Sequence, residues 1–385
     1  MKVLHFYKTS VPWSMGGIEQ VIHQIALGAA KQGVQTDVLS LTRKQVPRTV
    51  DVGGYLVHHA KMDLQIASTG FSISAFLRFY QLARRADVIH YHFPWPFMDV
   101  VHFITRIKKP TVVTYHSDII RQKRLLKLYR PLKRWFLRDV DRIVATSPNY
   151  LATSQVLACY RDKVSVIPIG LDRETYPKSD PEVLKAWRAK VGPKFFLFIG
   201  VLRYYKGLHI LMEAARGAEF PIVIVGAGPI EDELKAQARD LGLDNVHFFG
   251  QLPETDKLAL LELSYAVVFP SHLRSEAFGI SLLEGAMYGK PMISSEIGTG
   301  TTFINISGET GIVVSPGDPA ALRGAMQHLW EHPEEARIWG QRAEDRYWKY
   351  FTAERMVTDY IAIYRELIQG RLEADSAPSG KMGAE

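Results

Sequence analysis

Short apolar runs, many of them β-branched, return along the whole chain, and each is followed by a stretch with helical spacing. In the first half the candidate strands are 2–7, 36–41, 55–60, 88–92, 111–116, 142–147 and 164–169. In the second half they are 195–201, 220–226, 246–250, 266–270, 291–295 and 311–315. Few alternate cleanly between apolar and polar. Strands covered on both faces look like this, so they belong to parallel sheets. Between the first two runs Ile18, Val21, Ile22, Ile25, Ala26 and Ala29 recur at helical spacing, and Gly33 follows as a stop. Such alternation predicts an α/β protein, and 385 residues leave room for two units. The predicted division is a Rossmann-like domain over 1–172, a linker over 173–194 and a second Rossmann-like domain over 195–350. A helix over 351–371 is expected to cross back to the first domain, ahead of a disordered tail over 372–385.

Composition narrows the setting. Apolar residues make up 47% and charged residues 23%, which excludes a disordered or low-complexity chain. The single cysteine, Cys159, forms no internal disulfide and no Cys-based zinc site, so a reducing compartment fits. The first residues lack a signal-peptide pattern, and no run reaches the ~18 apolar residues of a spanning helix. A cytoplasmic protein is expected. Residues 1–190 hold 29 Lys and Arg against 14 Asp and Glu, while the remainder holds 18 against 26. The first half is therefore expected to meet an anionic partner. Its charge is densest in RQKRLLKLYRPLKRWFLR, residues 121–138, with eight basic and no acidic residues. Pro131 is expected to kink this stretch or to start a second helix. A basic amphipathic stretch with an aromatic residue can lie on an anionic membrane, and equally can be a solvated helix packed on its own domain. No nucleic-acid module accompanies the charge.

Several motifs sit where strand ends of parallel sheets meet ligands. Gly16 and Gly17 follow the first strand and open the helix near Ile18, where backbone amides can approach an anion. The other reading is a loop that needs positive φ. Arg203 and Lys206-Gly207 follow strand 195–201, a place suited to a diphosphate or simply to exposed cations. The segment SEAFGISLLEGAMYGKP, residues 275–291, carries Glu276 and Glu284 with a helix expected from about Phe278. Eight residues on one helix span roughly 12 Å. That exceeds the ~9.5 Å limit for a hydrolytic carboxylate pair. The two fit better as acceptors for hydroxyls at opposite ends of an elongated ligand, with the amides of Phe278 and Gly279 between them. A first-turn or solvated glutamate is the plain alternative for each.

His116 ends the strand TYHSD and faces either a ligand or its own core. With His90 and His92 it lacks the ligand spacing of a metal site, so no metal is expected. Two motifs mislead. VGAGPIE, residues 225–231, resembles a dinucleotide loop, but Glu231 replaces the third glycine and weakens an NAD(P)-dependent oxidoreductase reading. Asp139-Val-Asp141 resembles a DxD metal motif, yet its place between the basic stretch and a strand points to a helix-end and turn role.

Taken together, GGIE, TYHSD, RYYKG, VGAGP and above all E-x7-E resemble retaining glycosyltransferases of family 4. The resemblance covers nearly the full length. It implies the GT-B fold, two facing Rossmann-like domains with an inter-domain cleft, the first for the acceptor and the second for a nucleotide-sugar donor. The opening MKVLHFYKTSVPWSMGGIEQVI is most similar to bacterial mannosyl- or rhamnosyltransferases of O-antigen and related surface polysaccharides, many of which use GDP-mannose or a GDP-deoxymannose. By the same resemblance Arg203 and Lys206 neutralise the diphosphate, and Glu284 binds the ribose. Glu276 and the amides of Ala277, Phe278 and Gly279 hold the sugar. Gly16 and Gly17 approach the phosphates, His116 sits at the reacting face, and Gly226 and Gly228 lie near the nucleotide. Many members carry an Arg where Val201 stands, which leaves Arg203 as the nearest guanidinium. No cofactor or metal is implied. The acceptor is a saccharide or a polyprenyl-diphosphate-linked one. The protein is then peripheral at the cytoplasmic face of the inner membrane, through Arg121, Lys123, Arg124, Lys127 and Trp135. A non-catalytic membrane-associated protein that binds a sugar nucleotide is the remaining alternative.

Overall fold

The computed structural model describes residues 1–14, 16–66, 69–119 and 123–376. The chain forms two units. One comprises Met1–Ala145, Val156–Ile167 and the chain from Ala353 on, and the other comprises Thr146–Gln155 and Pro168–Thr352. The border therefore does not fall at a single point near 172. The short helix Pro148–Thr153 goes with the second unit because its side chains bond there. Asn149 donates to the Thr302 hydroxyl over 3.1 Å, and Arg274 donates to the Thr153 hydroxyl over 2.9 Å.

The first unit is built on an eight-stranded sheet. Its strands are β1 (Lys2–Phe6), β2 (Gln35–Thr42), β3 (Thr49–Asp51) and β4 (Leu56–Lys61). A separate two-stranded hairpin, β5 (Leu64–Ile66) and β6 (Thr69–Phe71), comes next in the chain. The sheet then takes up β7 (Val88–Phe93), β8 (Thr111–Tyr115), β9 (Arg142–Ala145) and β10 (Val164–Val166). The order is β10-β9-β8-β7-β1-β2-β4-β3, parallel except for β3 on the edge. Every position of β7 and β8 is buried, as a sheet covered on both faces requires. The helix Gly17–Lys31 buries Val21, Ile22, Ile25, Ala26 and Ala29. The C-terminal helix Ala353–Ser376 also belongs to this unit. Its Tyr364 and Tyr360 hydroxyls reach His90 Nδ1 at 2.7 Å and Thr114 Oγ1 at 2.8 Å. That helix overruns the tail expected from 372, helped by Gln369 donating to Glu373 one turn on. Residues 377–385 lie outside the described residues.

The second unit holds β11 (Phe196–Ile199), β12 (Ile222–Val225), β13 (Val246–Gly250), β14 (Ala266–Phe269), β15 (Met292–Ser295) and β16 (Gly311–Val314). They run parallel in the order β13-β12-β11-β14-β15-β16. Numbered within the unit, this is the doubly wound 3-2-1-4-5-6 order. The chain reverses its direction of travel between β11 and β14. Helices on successive strands diverge there, and the carboxyl ends of those strands open a crevice. In the first unit the same reversal lies between β1 and β7.

Candidate active site

In the second unit the segment after β11 makes a tight turn over Tyr204–Lys206 and passes through Gly207 with φ +73°. A Cβ on Gly207 would meet the Pro270 carbonyl oxygen at 2.0 Å. Glycine is needed because this loop lies directly on the end of β14. The result is that Lys206, from one side of the reversal, forms an ion pair with Glu276, from the other. Both side chains are 11% exposed. Lys206 Nζ also lies 4.6 Å from the centre of the Phe269 ring, and the Ser271 hydroxyl reaches Glu276 at 3.4 Å. Removing one partner of such a buried pair leaves the other charge unpaired, which costs about 3–5 kcal/mol.

The following helix is Ile280–Met287, so it begins two residues later than expected. Gly279 caps it with φ +99°, a left-handed conformation that ends the preceding loop. Glu276 is therefore off the helix and Glu284 is on it. Among the described residues the amides of Ala277, Phe278 and Gly279 make no hydrogen bond. They lie beside Glu276 at a helix N-terminus, where backbone N–H groups attract oxygen ligands. The Phe278 side chain is buried, its ring 6.2 Å from that of Phe351. Glu284 is held at one oxygen, Oε1, by the Tyr176 hydroxyl at 3.2 Å and Lys257 Nζ at 3.2 Å. Burial pushes the Lys257 pKa down, but Glu284 and Glu254 outweigh it and leave it above the usual lysine value. Tyr176 and Lys257 were not singled out by sequence reasoning. They lie 108 and 27 residues from Glu284, and only the fold joins them.

Other expected residues have mixed surroundings. Arg203 is exposed and has no ion-pair partner among the described residues. Gly226 and Gly228 pack on the loop after β11: added Cβ atoms would lie 2.0 Å from the Gly200 oxygen and 2.3 Å from the Leu202 oxygen. Close backbone packing accounts for these glycines. Glu231 starts the helix Glu231–Asp240.

In the first unit Gly16 caps the helix Gly17–Lys31 with φ −124°, so positive φ is not its reason. A Cβ there would lie 2.5 Å from Glu19 Oε2. Glu19 in turn accepts from the hydroxyls of Thr9 at 2.6 Å and Ser14 at 3.1 Å, ordering the loop ahead of the helix. His116 follows β8 and is buried. Its Nε2 lies 3.0 Å from His92 Nδ1, and His92 Nε2 lies 2.9 Å from His5 Nδ1. Burial alone lowers the pKa of His5 and of His116 to about 3. His5, His90 and His92 bring ring nitrogens within 4.8 Å of one another, close enough to consider a metal. His90 and His92 stack with ring centres 4.4 Å apart, and the His5 ring is tilted 42° from that of His90. Both nitrogens of His90 are already engaged, by Tyr364 at 2.7 Å and Thr114 at 2.7 Å. Asp139 Oδ2 accepts from His102 Nε2 at 2.7 Å, and Asp141 accepts from the Thr111 amide and hydroxyl, each at 2.7 Å. The DxD resemblance is thus a helix end and a turn.

The basic stretch forms one helix, Lys123–Asp139, with Pro131 inside it, so no second helix starts there. Phe136, Leu137 and Val140 are buried and Lys133 nearly so, whereas Leu128 is 82% and Trp135 64% exposed. Lys127, Arg130, Arg134 and Arg138 share the exposed side. Arg121 lies outside the described residues, as do the side chains of Lys123 and Arg124. No helix among the described residues is long and apolar enough to cross a membrane.

Two Rossmann-like units, with charged side chains at the strand ends beside the reversal of the second, define a GT-B architecture. Comparison with known proteins supplies the family. Residues 15–175 match the Glycosyltransferase Family 4 model, and residues 179–346 match that of Glycosyl transferases group 1. D-rhamnosyltransferase WbpZ of Pseudomonas aeruginosa is 63% identical over 92% of this chain and 93% of its own length. O-antigen chain mannosyltransferase C of Escherichia coli is 48% identical over 96% of this chain and 100% of its own. The chain belongs to this glycosyltransferase family, which takes it out of the oxidoreductase class. Sucrose-phosphate synthase from Thermosynechococcus elongatus shares the fold with a TM-score of 0.82 at 18% identity, covering 96% of this chain and 99% of that one.

Proposed function

We propose that this glycosyltransferase moves mannose or a deoxymannose from a GDP-sugar to a lipid-linked or lipopolysaccharide saccharide during O-antigen synthesis, with retention at the anomeric carbon. The names of the two relatives, a D-rhamnosyltransferase and an O-antigen chain mannosyltransferase, support the sugar and the setting. The observation that carries the chemistry is the Lys206–Glu276 pair beside three unpartnered amides. Glu276 and those amides hold the sugar hydroxyls. Glu284 offers Oε2, which has no partner among the described residues, to the ribose. Lys206, with Arg203 beside it, faces the diphosphate. As the bond from the anomeric carbon to phosphate oxygen lengthens, negative charge grows on the leaving diphosphate and the sugar becomes oxocarbenium-like. Preorganised donors aimed at that charge are worth ~10²–10³ in rate each. In this reading the acceptor oxygen attacks from the leaving-group face and the departing phosphate takes its proton. Lys206 and Arg203 supply the charge that a metal would otherwise bring.

In the same proposal Gly16, Gly17 and His116 are residues for the donor. For the acceptor, a cavity of about 210 Å³ at the ends of β1, β2 and β4 is lined by Thr9, Ser10, Trp13, Ser14, Arg43 and Lys44. An indole, hydroxyls and two cations suit a saccharide that carries phosphate. The exposed Leu128 and Trp135 among Lys127, Arg130 and Arg134 suit an anionic membrane surface.

A thermal-shift panel with GDP, UDP, dTDP and ADP tests the donor. GDP alone is expected to raise Tm in the wild type, and Glu284→Ala is expected to abolish that rise at the same concentration. A larger rise with another nucleotide sinks the GDP assignment. The product's anomeric configuration, read by NMR with EDTA present, checks retention and metal independence together.

A further inference from the structure

We propose that His5, His92 and His116 form a hydrogen-bonded chain with one direction, which fixes His116 as the tautomer carrying its hydrogen on Nδ1, so that Nδ1 donates to an oxygen of the transferred sugar. His92 and His5 are then positioning residues. The inference rests on the reading that His116 contacts the donor sugar.

The three rings come from three adjacent strands. His5 is in β1 and His92 in β7, the two strands at the reversal of the first unit, and His116 follows β8. The two links measure 2.9 Å and 3.0 Å, with ring centres 5.3 Å apart in each step and planes inclined by 18° and 22°. His5 and His92 have no exposed surface. Burial holds all three imidazoles neutral near pH 7. A neutral imidazole has one N–H and one lone pair. His92 uses both nitrogens, so it gives one hydrogen bond and takes the other. The two links must therefore point the same way.

The far end of the chain chooses the direction. His5 Nε2 is buried and has no partner among the described residues. If hydrogens pointed from His116 toward His5, that nitrogen would carry an N–H with nothing to accept it. In the opposite direction it holds only a lone pair. Orphaned buried N–H groups are rarer than under-satisfied acceptors. The hydrogens therefore run from His5 Nδ1 to His92 Nε2, and from His92 Nδ1 to His116 Nε2. His116 is left with its hydrogen on Nδ1, the nitrogen without a partner among the described residues. It has no free lone pair in this state. His116 is thus a neutral donor to the substrate, and it neither takes the acceptor's proton nor supplies one. His90, although stacked in the same cluster, bonds to Tyr364 and Thr114 and is not a link.

The test is a long-range 1H–15N spectrum of the full chain labelled in its histidine rings, with His116 signals assigned by their loss in His116→Asn. All three residues are expected with hydrogen on Nδ1 and bare Nε2. A His116 signal with hydrogen on Nε2 overturns the proposal, and this reading needs no other variant to fold. His92→Phe removes both links but keeps a ring. It is expected to mix the His116 tautomers and lower kcat roughly tenfold with little change in the donor KM. His92→Asn keeps an N–H near the Nδ1 position and is expected to restore kcat. Unchanged kcat alongside a mixed tautomer also overturns the proposal, because Nδ1 then donates to nothing that matters in turnover. A wild-type chain with no transferase activity would instead sink the functional reading, while the ring spectrum still decides the tautomer.

Discussion

The two units solve one topological problem with opposite chemistry. Each has an open parallel sheet whose order reverses once, and each places buried polar side chains at that reversal. In the first unit they are imidazoles: His5, His90, His92 and the adjoining His116, all kept neutral by burial. In the second they are ion pairs, Lys206 with Glu276 and Lys257 with Glu284. Neutral rings act through direction, because a hydrogen bond has a donor end and an acceptor end. Buried charges act through the field, and a field suits a leaving diphosphate. The outer surfaces differ as well: the first half of the chain carries the excess of Lys and Arg.

The largest expected effect is on acid stability. A histidine held neutral in the fold binds its proton first in the unfolded chain. Stability is therefore fully present above the unfolded pKa near 6.5 and lost as pH falls toward the folded value, about 3 for His5 and His116. Each of His5 and His116 costs about 2 kcal/mol between pH 6.5 and pH 5, and His90 and His92 add to the loss in the same direction. In the second unit His209 and His272 are lowered too, but they are only partly buried. The raised Lys257 keeps its contribution throughout this acid range and loses it only in alkali. Hydrogen exchange at pH 5 should thus show β1 and β7 losing protection before β11 and β14. The reverse order would erase the contrast between the two units.

Next in size is Lys206→Ala. If the charged reversal works by its field, kcat falls by ~10²–10³. Thermal melts of the same variant separate this from the stability lost by stranding Glu276. A kcat within threefold of wild type would leave the ion pair a structural feature only.

The smallest effect concerns the surface. Replacing Lys127 and Arg134 with Gln should weaken co-sedimentation with anionic liposomes by about 1 kcal/mol per residue. Equal sedimentation would make the helix Lys123–Asp139 an ordinary solvated face.

Particular residues show why part of this was legible early. Every strand expected from an apolar run is present, with no end moved by more than three residues, because burial on both faces writes itself into consecutive residues. Strand β3 and the hairpin of β5 and β6 left no such trace, since TVD, LQI and TGF are only three residues each, and TVD and LQI are largely open to solvent. Glu276 and Glu284 stood out because eight residues of one segment hold both. Lys206 stood out as well, but not its pairing with Glu276, and the partners of Glu284 did not stand out at all: Tyr176 and Lys257 arrive from other parts of the chain.

The sequence by itself therefore determined a twice-repeated parallel α/β chain, the glutamates of E-x7-E and the basic stretch, all of them patterns within some twenty residues. Tertiary structure alone decided that Lys206 meets Glu276, that Tyr176 and Lys257 share one oxygen of Glu284, and that three histidines join end to end. Strand order makes those neighbours, and strand order is set by how crossover helices pack, which no local run of residues records.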